Sequence, residues 1–145
     1  MPVDCDRGIA ELLRTARRIA LLGASANPVR PSHEVMRFLL ASGYAVVQVN
    51  PALAGEKLLG QRVYAALGEI PGRLDMVDVF RAGEHLPGIV DECLACQVPA
   101  LWTQLGVVDE AAARRAEAAG LQVVMDRCPA IEWPRLRRQG LLREP

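Results

Sequence analysis

Apolar positions along this chain follow two alternating rhythms. Ile9, Leu12, Leu13 and Ala16 recur at helical spacing behind Asp6, a suitable N-cap, and predict a first helix. Residues 19–22 form a continuous apolar run ended by Gly23, the pattern of a strand buried on both faces that enters a turn. Val35, Phe38 and Leu39 mark a second helix that stops at Gly43. Residues 45–49 predict a second strand, closed by Asn50-Pro51 because proline cannot continue a central ladder. Residues 60–64 read as a brief edge strand, and breakers fill three of the five positions 68–72.

The alternation continues to the last quarter of the chain. Residues 76–80 are strand-like, and Leu86, Ile89, Val90, Cys93 and Leu94 return to helical spacing. Residues 98–103 form another strand, with Gly106 in the turn that follows. Asp109 then caps an alanine-rich helix that ends at Gly120. Residues 123–125 are the final strand. The tail beyond them holds Pro129, Pro134 and five of the sixteen arginines, offset by Asp126, Glu132 and Glu144, and reads as a solvated face. Strands separated by helices of about three turns imply right-handed crossovers, hence an open parallel sheet with helices on both faces.

Length and composition narrow the picture. The 145 residues form one domain, 1–145, with no internal repeat, low-complexity stretch or linker. Seventeen basic and seventeen acidic residues cancel, and two Phe, two Tyr and two Trp are too few to build stacking platforms, so nucleic acid is not an expected partner. No apolar run approaches the roughly 18 residues of a membrane span. The N-terminus lacks the charged-then-apolar order of a secretory signal, so a soluble, cytoplasmic protein is expected. Cys5, Cys93, Cys96 and Cys128 show no disulfide framework. Cys93 and Cys96 sit near the end of a predicted helix rather than at its N-terminus, and are expected to be buried small hydrophobes.

In an open parallel sheet, ligands bind beyond the carboxyl ends of the strands where strand order reverses. With the six predicted strands in the order 3-2-1-4-5-6, that point lies between the first strand and residues 76–80. The loops converging there are 23–32, Asn50-Pro51, Phe80-Arg81 and 103–106. In the first, Gly23 lets a phosphate approach the backbone, the following helix offers N–H groups, Ser25 and Ser32 add hydroxyls, and Arg30 adds charge. The loop carries one glycine where the dinucleotide fingerprint needs three, and the second strand ends at Asn50-Pro51 rather than near an acid. NAD is therefore disfavoured. No catalytic constellation is visible: His33 and His85 have no nucleophile beside them, and Asp75 and Asp78 alternate along a strand, with Asp78 placed to cap or pair locally. No metal-binding pattern is present.

Together, Gly23-Ala24-Ser25 with Pro28 and Arg30-Pro31-Ser32, Val49-Asn50-Pro51, residues 77–81, residues 102–106 and residues 125–129 resemble the small stand-alone CoA-binding proteins. These are Rossmann-like domains similar to the CoA-binding domain of the succinyl-CoA ligase α subunit. The resemblance runs in consistent order from about Leu12 to Glu132. It implies CoA or acyl-CoA as ligand: Gly23, Ala24 and Ser25 at the pyrophosphate with Arg30 and Ser32 close by, Asn50 and Pro51 beside the adenosine half, and Phe80, Arg81, Gln104 and Gly106 on the opposite wall. Arg30 or Lys57, the only lysine, is expected at a CoA phosphate. The ligase's phosphohistidine domain and ATP-grasp partner have no counterpart in the sequence, so ligase activity is not implied. The expected role is carrier or regulator; the alternatives are an NAD-dependent or acyl-CoA-processing enzyme and an interaction module that holds CoA as a structural element. One further expectation is that, if the chain folds back toward the carboxyl edge, Arg127 favours the Cys128 thiolate, which would form a mixed disulfide with CoA under oxidising conditions.

Overall fold

The structure is a computed structural model that describes residues 3–23, 27 and 29–142. The elements in chain order are α1 (Asp6–Thr15), β1 (Arg18–Leu22), α2 (Pro31–Ala41), β2 (Ala45–Val49), β3 (Lys57–Leu58), β4 (Gln61–Tyr64), β5 (Met76–Val79), α3 (Leu86–Ala95), β6 (Ala100–Thr103), α4 (Glu110–Ala118), β7 (Gln122–Val124) and α5 (Pro129–Arg138). They form one sheet of order β3-β4-β2-β1-β5-β6-β7. All neighbours are parallel except β3 and β4, which pair antiparallel as Lys57↔Arg62 and Leu58↔Gln61. The predicted order is present, with β3 added outside it. The hairpin turn at Leu59-Gly60 has both residues at positive φ, 48° and 80°. Such a turn ordinarily announces itself by Asn or Asp before the glycine, and leucine there conceals it.

The alternating side chains of the strands sort into two cores. On one face, Ala20, Leu22, Val47, Val49, Val77, Val79, Leu101 and Val123 pack with Leu86, Ile89, Val90 and Cys93 of α3 and the alanines of α4. On the other, Ile19, Leu21, Val46, Met76, Trp102 and Val124 meet α1, α2 and α5. Strands buried on both faces explain the continuous apolar runs in the sequence.

The tail departs from its expected solvated state. It forms α5, with Pro129 at a first-turn position where no N–H is missed. Pro134 stands inside the helix, and the two prolines together hide it from a sequence reading. Trp133 and Leu136 are buried against α1 and α2, and Trp133 meets Phe38 edge-on at 6.5 Å between ring centroids. Arg135 grips both carboxylate oxygens of Asp6 at 2.8 and 3.0 Å and also reaches Glu132, to which Arg127 donates at 2.5 Å. Burial works to raise the Glu132 pKa, but the hydrogen bonds from Arg135 and Arg127 prevail and hold it low. Asp6 is therefore a partner of α5 rather than the cap of α1; that place belongs to Cys5, whose Sγ accepts from the Gly8 N–H at 3.4 Å. Cys93 is buried, and burial pushes its thiol up to about 12, but Cys96 at the end of α3 is exposed, contrary to expectation.

Asp78 also behaves differently from its expected local pairing. It lies between Leu21 and Trp102 in the register of β1, β5 and β6, is fully buried, and neither carboxyl oxygen has a hydrogen-bond partner among the described residues. Local pairing falls instead to Asp75, whose Oδ2 accepts from the Arg17 and Arg18 N–H groups at 2.9 Å each. Desolvation pushes the Asp78 carboxyl well above the ordinary carboxylate range, so the fold favours its protonated form. A raised folded-state pKa means stability present below the unfolded value and lost as pH rises toward the folded one, by about 1.4 kcal/mol per pH unit. Asp78→Asn escapes that loss. The variant is expected to be more stable than the parent at pH 7, with a gap that narrows toward pH 4; urea unfolding at several pH values checks it, and a pH-independent gap would refute it.

Candidate functional site

β1 pairs with β2 on one side and β5 on the other. The chain leaves β1 through α2 on one face and leaves β5 through α3 on the other, so the covering helices diverge and open a crevice above the carboxyl ends. Hydrogen bonding continues one residue past each strand. Gly23 N–H donates to Val49 C=O at 2.9 Å, Phe80 N–H to Leu22 C=O at 2.8 Å, Gln104 N–H to Val79 C=O at 3.1 Å, and Asn50 N–H to Tyr64 C=O at 2.9 Å. Asn50, Gly23, Phe80 and Gln104 thus form one row across the sheet edge.

Gly23 supplies the gap in that row. Its φ is 90°, and a Cβ there would lie 3.0 Å from Arg81 Cγ and 3.3 Å from the Phe80 carbonyl. Both the backbone conformation and the close neighbour select glycine. Across from it, α2 begins with Arg30 at the N-cap, whose side chain makes no capping hydrogen bond, followed by Pro31. Asn27 prepares this start: its Oδ1 accepts from the Val29 N–H at 3.1 Å and its carbonyl from the Arg30 N–H at 3.0 Å. The positive end of the α2 dipole therefore faces the gap above Gly23.

The other wall is a tight turn. Val107 N–H donates to Gln104 C=O at 2.9 Å, and Gly106, at φ 82°, takes the position of a type II turn that requires positive φ. Thr103 Oγ1 donates to Val107 C=O at 2.6 Å and accepts from Asp126 N–H at 2.9 Å, while Asp126 Oδ1 accepts from Gly106 N–H at 2.7 Å. The β6–α4 and β7–α5 connections are thereby locked together. Gln104 is only 7% exposed, and its Oε1 is sealed with no hydrogen-bond partner among the described residues. A buried polar atom left so costs about 1–3 kcal/mol.

These walls enclose about 200 Å³ lined by Gly23, Pro31, Ser32, Phe80, Gln104, Leu105 and Val107. Of the residues singled out from sequence, Gly23, Ser32, Phe80 and Gln104 line it directly, Gly106 is in its turn and Arg81 abuts Gly23. Arg30 is exposed at the rim. Asn50 shares the row and uses its Oδ1 to accept from Ala52 N–H, starting the short turn at Pro51. Lys57 is exposed on β3, three strands from β1, and is not brought to this cavity. Ala24 and Ser25 lie outside the described residues. Pro31 and Leu105, both inside the loop motifs quoted from the sequence, also line the cavity, as does Val107, whose only signal was adjacency to them.

Cys128 is buried at the start of α5, and the Arg127 guanidinium turns to Glu132 and the Asp4 carbonyl rather than to the thiol. His33 is buried in the first turn of α2, whereas His85 precedes α3 beside Glu84. A larger groove of about 600 Å³ lies at the opposite, amino edge, bordered by Arg14, Arg17, Tyr44 and Trp133. Its arginines and its tyrosine are already engaged: Arg14 with Glu11, Arg17 with the Arg14 and Ala16 carbonyls, and Tyr44 with the Leu13 carbonyl. The crevice at the carboxyl edge, with an unpartnered buried amide, is the stronger site. Among the described residues no cluster of His, Cys, Asp or Glu could hold a metal ion, and no helix is long and apolar enough to cross a membrane.

A parallel sheet with helices on both faces, a glycine ending its first strand and a helix N-terminus over the crossover point together define a Rossmann-like α/β domain. The chain belongs to the CoA-binding-domain family, whose model matches residues 17–134. It is 39% identical over 120 residues to the Bacillus subtilis protein YneT, covering 83% of this chain and 87% of that one. A solved Thermus thermophilus structure superposes with a TM-score of 0.87 at 37% identity, covering 92% of this chain and 99% of its own. The α subunit of an ADP-forming acetate–CoA ligase from Pyrococcus furiosus is 29% identical over 87 residues, 57% of this chain but 19% of that subunit.

Two glycines give a paired test of how tightly the walls are held. A Cβ on Gly83 would stand 2.5 Å from the Val108 carbonyl oxygen, whereas one on Gly88, within α3, would meet nothing within 4 Å. Gly83→Ala is expected to destabilise the fold by about 1–3 kcal/mol through overpacking. Gly88→Ala is expected to stabilise it by about 0.5–1 kcal/mol through helix propensity. Denaturant unfolding of both variants checks the contrast, and equal effects would show that the two walls do not press on one another.

Proposed function

We propose that this chain binds CoA or an acyl-CoA in the crevice at the carboxyl edge, serving in the cytoplasm as a carrier or regulator rather than a catalyst. The observation that carries this reading is the Gly23 gap facing the N-terminus of α2, in a chain whose family match spans residues 17–134. In this reading the pyrophosphate rests on the backbone at Gly23, Ala24 and Ser25, with Ser32 and Arg30 beside it. Asn50 and Pro51 border the adenosine half, and Phe80, Arg81, Gln104 and Gly106 face the remainder. The described lining offers amides, a hydroxyl and apolar surface, a composition suited to holding a ligand. The reaction of the whole acetate–CoA ligase is not assigned to this chain, which matches only a small part of that subunit.

CoA is expected to bind at least tenfold more tightly than NAD, a difference of about 1.4 kcal/mol. The grounds are the single glycine of the first loop and the absence of an acid at the end of β2. Calorimetry with both ligands at one ionic strength measures it; equal affinities, or tighter NAD, reject the assignment. Turnover of an acyl-CoA by the purified protein would reject the carrier role alone.

The cations give a second check. Arg30 at the crevice rim and Lys57 on β3 are both exposed, so a pairing of either with the 3′-phosphate is weakened by solvent screening. Arg30→Ala is expected to weaken CoA by a few-fold and to leave 3′-dephospho-CoA unchanged. Lys57→Ala tests the outer edge in the same titration. If neither substitution weakens CoA, the cationic part of the reading fails while the backbone cradle stands.

A further inference from the structure

We infer that Asp126 selects against acyl groups that end in a carboxylate, so that an acyl-CoA held in the crevice carries an uncharged acyl chain. This rests on the CoA reading above, in which the ligand runs from Asn50 and Pro51 toward Phe80, Arg81, Gln104 and Gly106, and adds the class of acyl group that fits. Asp126 Oδ1 accepts from the Gly106 N–H at 2.7 Å, which sets a carboxylate against the turn whose Gln104, Leu105 and Val107 line the cavity. The residue is exposed, and Arg127, the cation next to it in sequence, pairs with Glu132 at 2.5 Å instead. Folding accounts for the shape of Asp126 but not for its charge. Its φ of 62° is a left-handed conformation that Asn and Asp both tolerate. Its N–H donates to Thr103 Oγ1 at 2.9 Å whatever the side chain, and an asparagine oxygen could accept from Gly106 in the same way. The carboxylate also occupies an N–H that an anion arriving at this wall would otherwise use.

The charges along the sheet edge change sign in the same direction. Arg30 is exposed at the start of α2 and Arg81 abuts Gly23, on the side where the pyrophosphate would rest. Beyond β5, Glu84 has a side chain 80% exposed on the loop where Gly83 packs against Val108, and Asp126 follows β7. The connection that both loops touch, residues 104–109, exposes Leu105 by 56% and Val108 by 45%. An apolar acyl chain gains contact with these two side chains. A terminal carboxylate would instead be desolvated beside a like charge, which costs affinity and is the usual way an interface rejects a wrong partner.

The test crosses two ligands with two proteins. Pentanoyl-CoA and glutaryl-CoA differ only in a terminal methyl against a terminal carboxylate, and each is titrated into the full chain and into Asp126→Asn. The parent is expected to bind glutaryl-CoA about tenfold more weakly than pentanoyl-CoA. Asp126→Asn is expected to narrow that gap by about fivefold while binding pentanoyl-CoA within about twofold of the parent, which also shows that the turn is kept. In the parent, the ratio of the two affinities is expected to shrink between about 20 mM and about 500 mM salt; the charges of CoA itself cancel in the ratio. That measurement needs no variant and decides the matter alone if Asp126→Asn does not fold. Equal binding of the two ligands by the parent, a preference for glutaryl-CoA, a gap that Asp126→Asn preserves or a ratio indifferent to salt overturns the inference and leaves the CoA reading standing. Weakening of both ligands alike in Asp126→Asn shows that the carboxylate serves the wall alone, and overturns it too. If the parent binds neither acyl-CoA nor free CoA, the CoA reading falls and takes this inference with it.

Discussion

The position of β1 is the constraint on which the molecule depends. It must be hydrogen-bonded on both edges and covered on both faces, and Ile19, Ala20 and Leu21 are accordingly sealed from solvent. The chain supplies one neighbour through α2 and the other only after wandering out to β4 and back, so the two halves of the sheet are wound in opposite senses from a shared strand. Helices placed by right-handed crossovers then fall on opposite faces, and the space above β1 is left uncovered. The crevice is what remains when a central strand is served from both directions. Gly23 keeps that space open at the one point where a side chain would close it against Arg81 and Phe80.

This dependence explains what could be read from the residues and what could not. Strands buried on both faces must be continuous apolar runs, so β1, β2, β5 and β6 were legible, and with them the order of the sheet and the location of the crevice. The β3–β4 hairpin was half legible: residues 60–64 showed a strand, but Leu59-Gly60 carries no turn signature and β3 is two residues long. Helix α5 was hidden for a different reason. Its prolines argue against a helix locally, and its stability comes from Trp133, Leu136 and the Arg135 pairings with Asp6 and Glu132. Asp6 and Arg135 are 129 positions apart, and no local pattern shows that they meet. At the site, residue types could be placed on loops, but the empty hydrogen-bonding capacity of Gln104 is a property of packing.

Two buried polar side chains on the α2 face act as clips. Gln48 Nε2 donates to the Leu58 carbonyl at 3.1 Å and ties the outer hairpin to β2. Trp102 Nε1 donates to the Arg127 carbonyl at 2.8 Å and ties the β7–α5 connection to β6. Each clips a peripheral element, one that shows little independent pattern in the sequence, to the central sheet. Asp78 lies between them in register, across Leu21 from Gln48 and next to Trp102, and clips nothing. Its carboxyl has no partner among the described residues, and burial favours its protonated form.

Asp78 and Gln104 are both under-satisfied, but in places that give them different consequences. Gln104 is in the row that borders the crevice and lines its cavity, although its Oε1 is itself sealed. Asp78 is on β5 two residues before Phe80, is fully buried and is not part of the cavity lining. Ligand affinity in the crevice should therefore be insensitive to the titration of Asp78, while folding stability carries the pH dependence that Asp78 imposes.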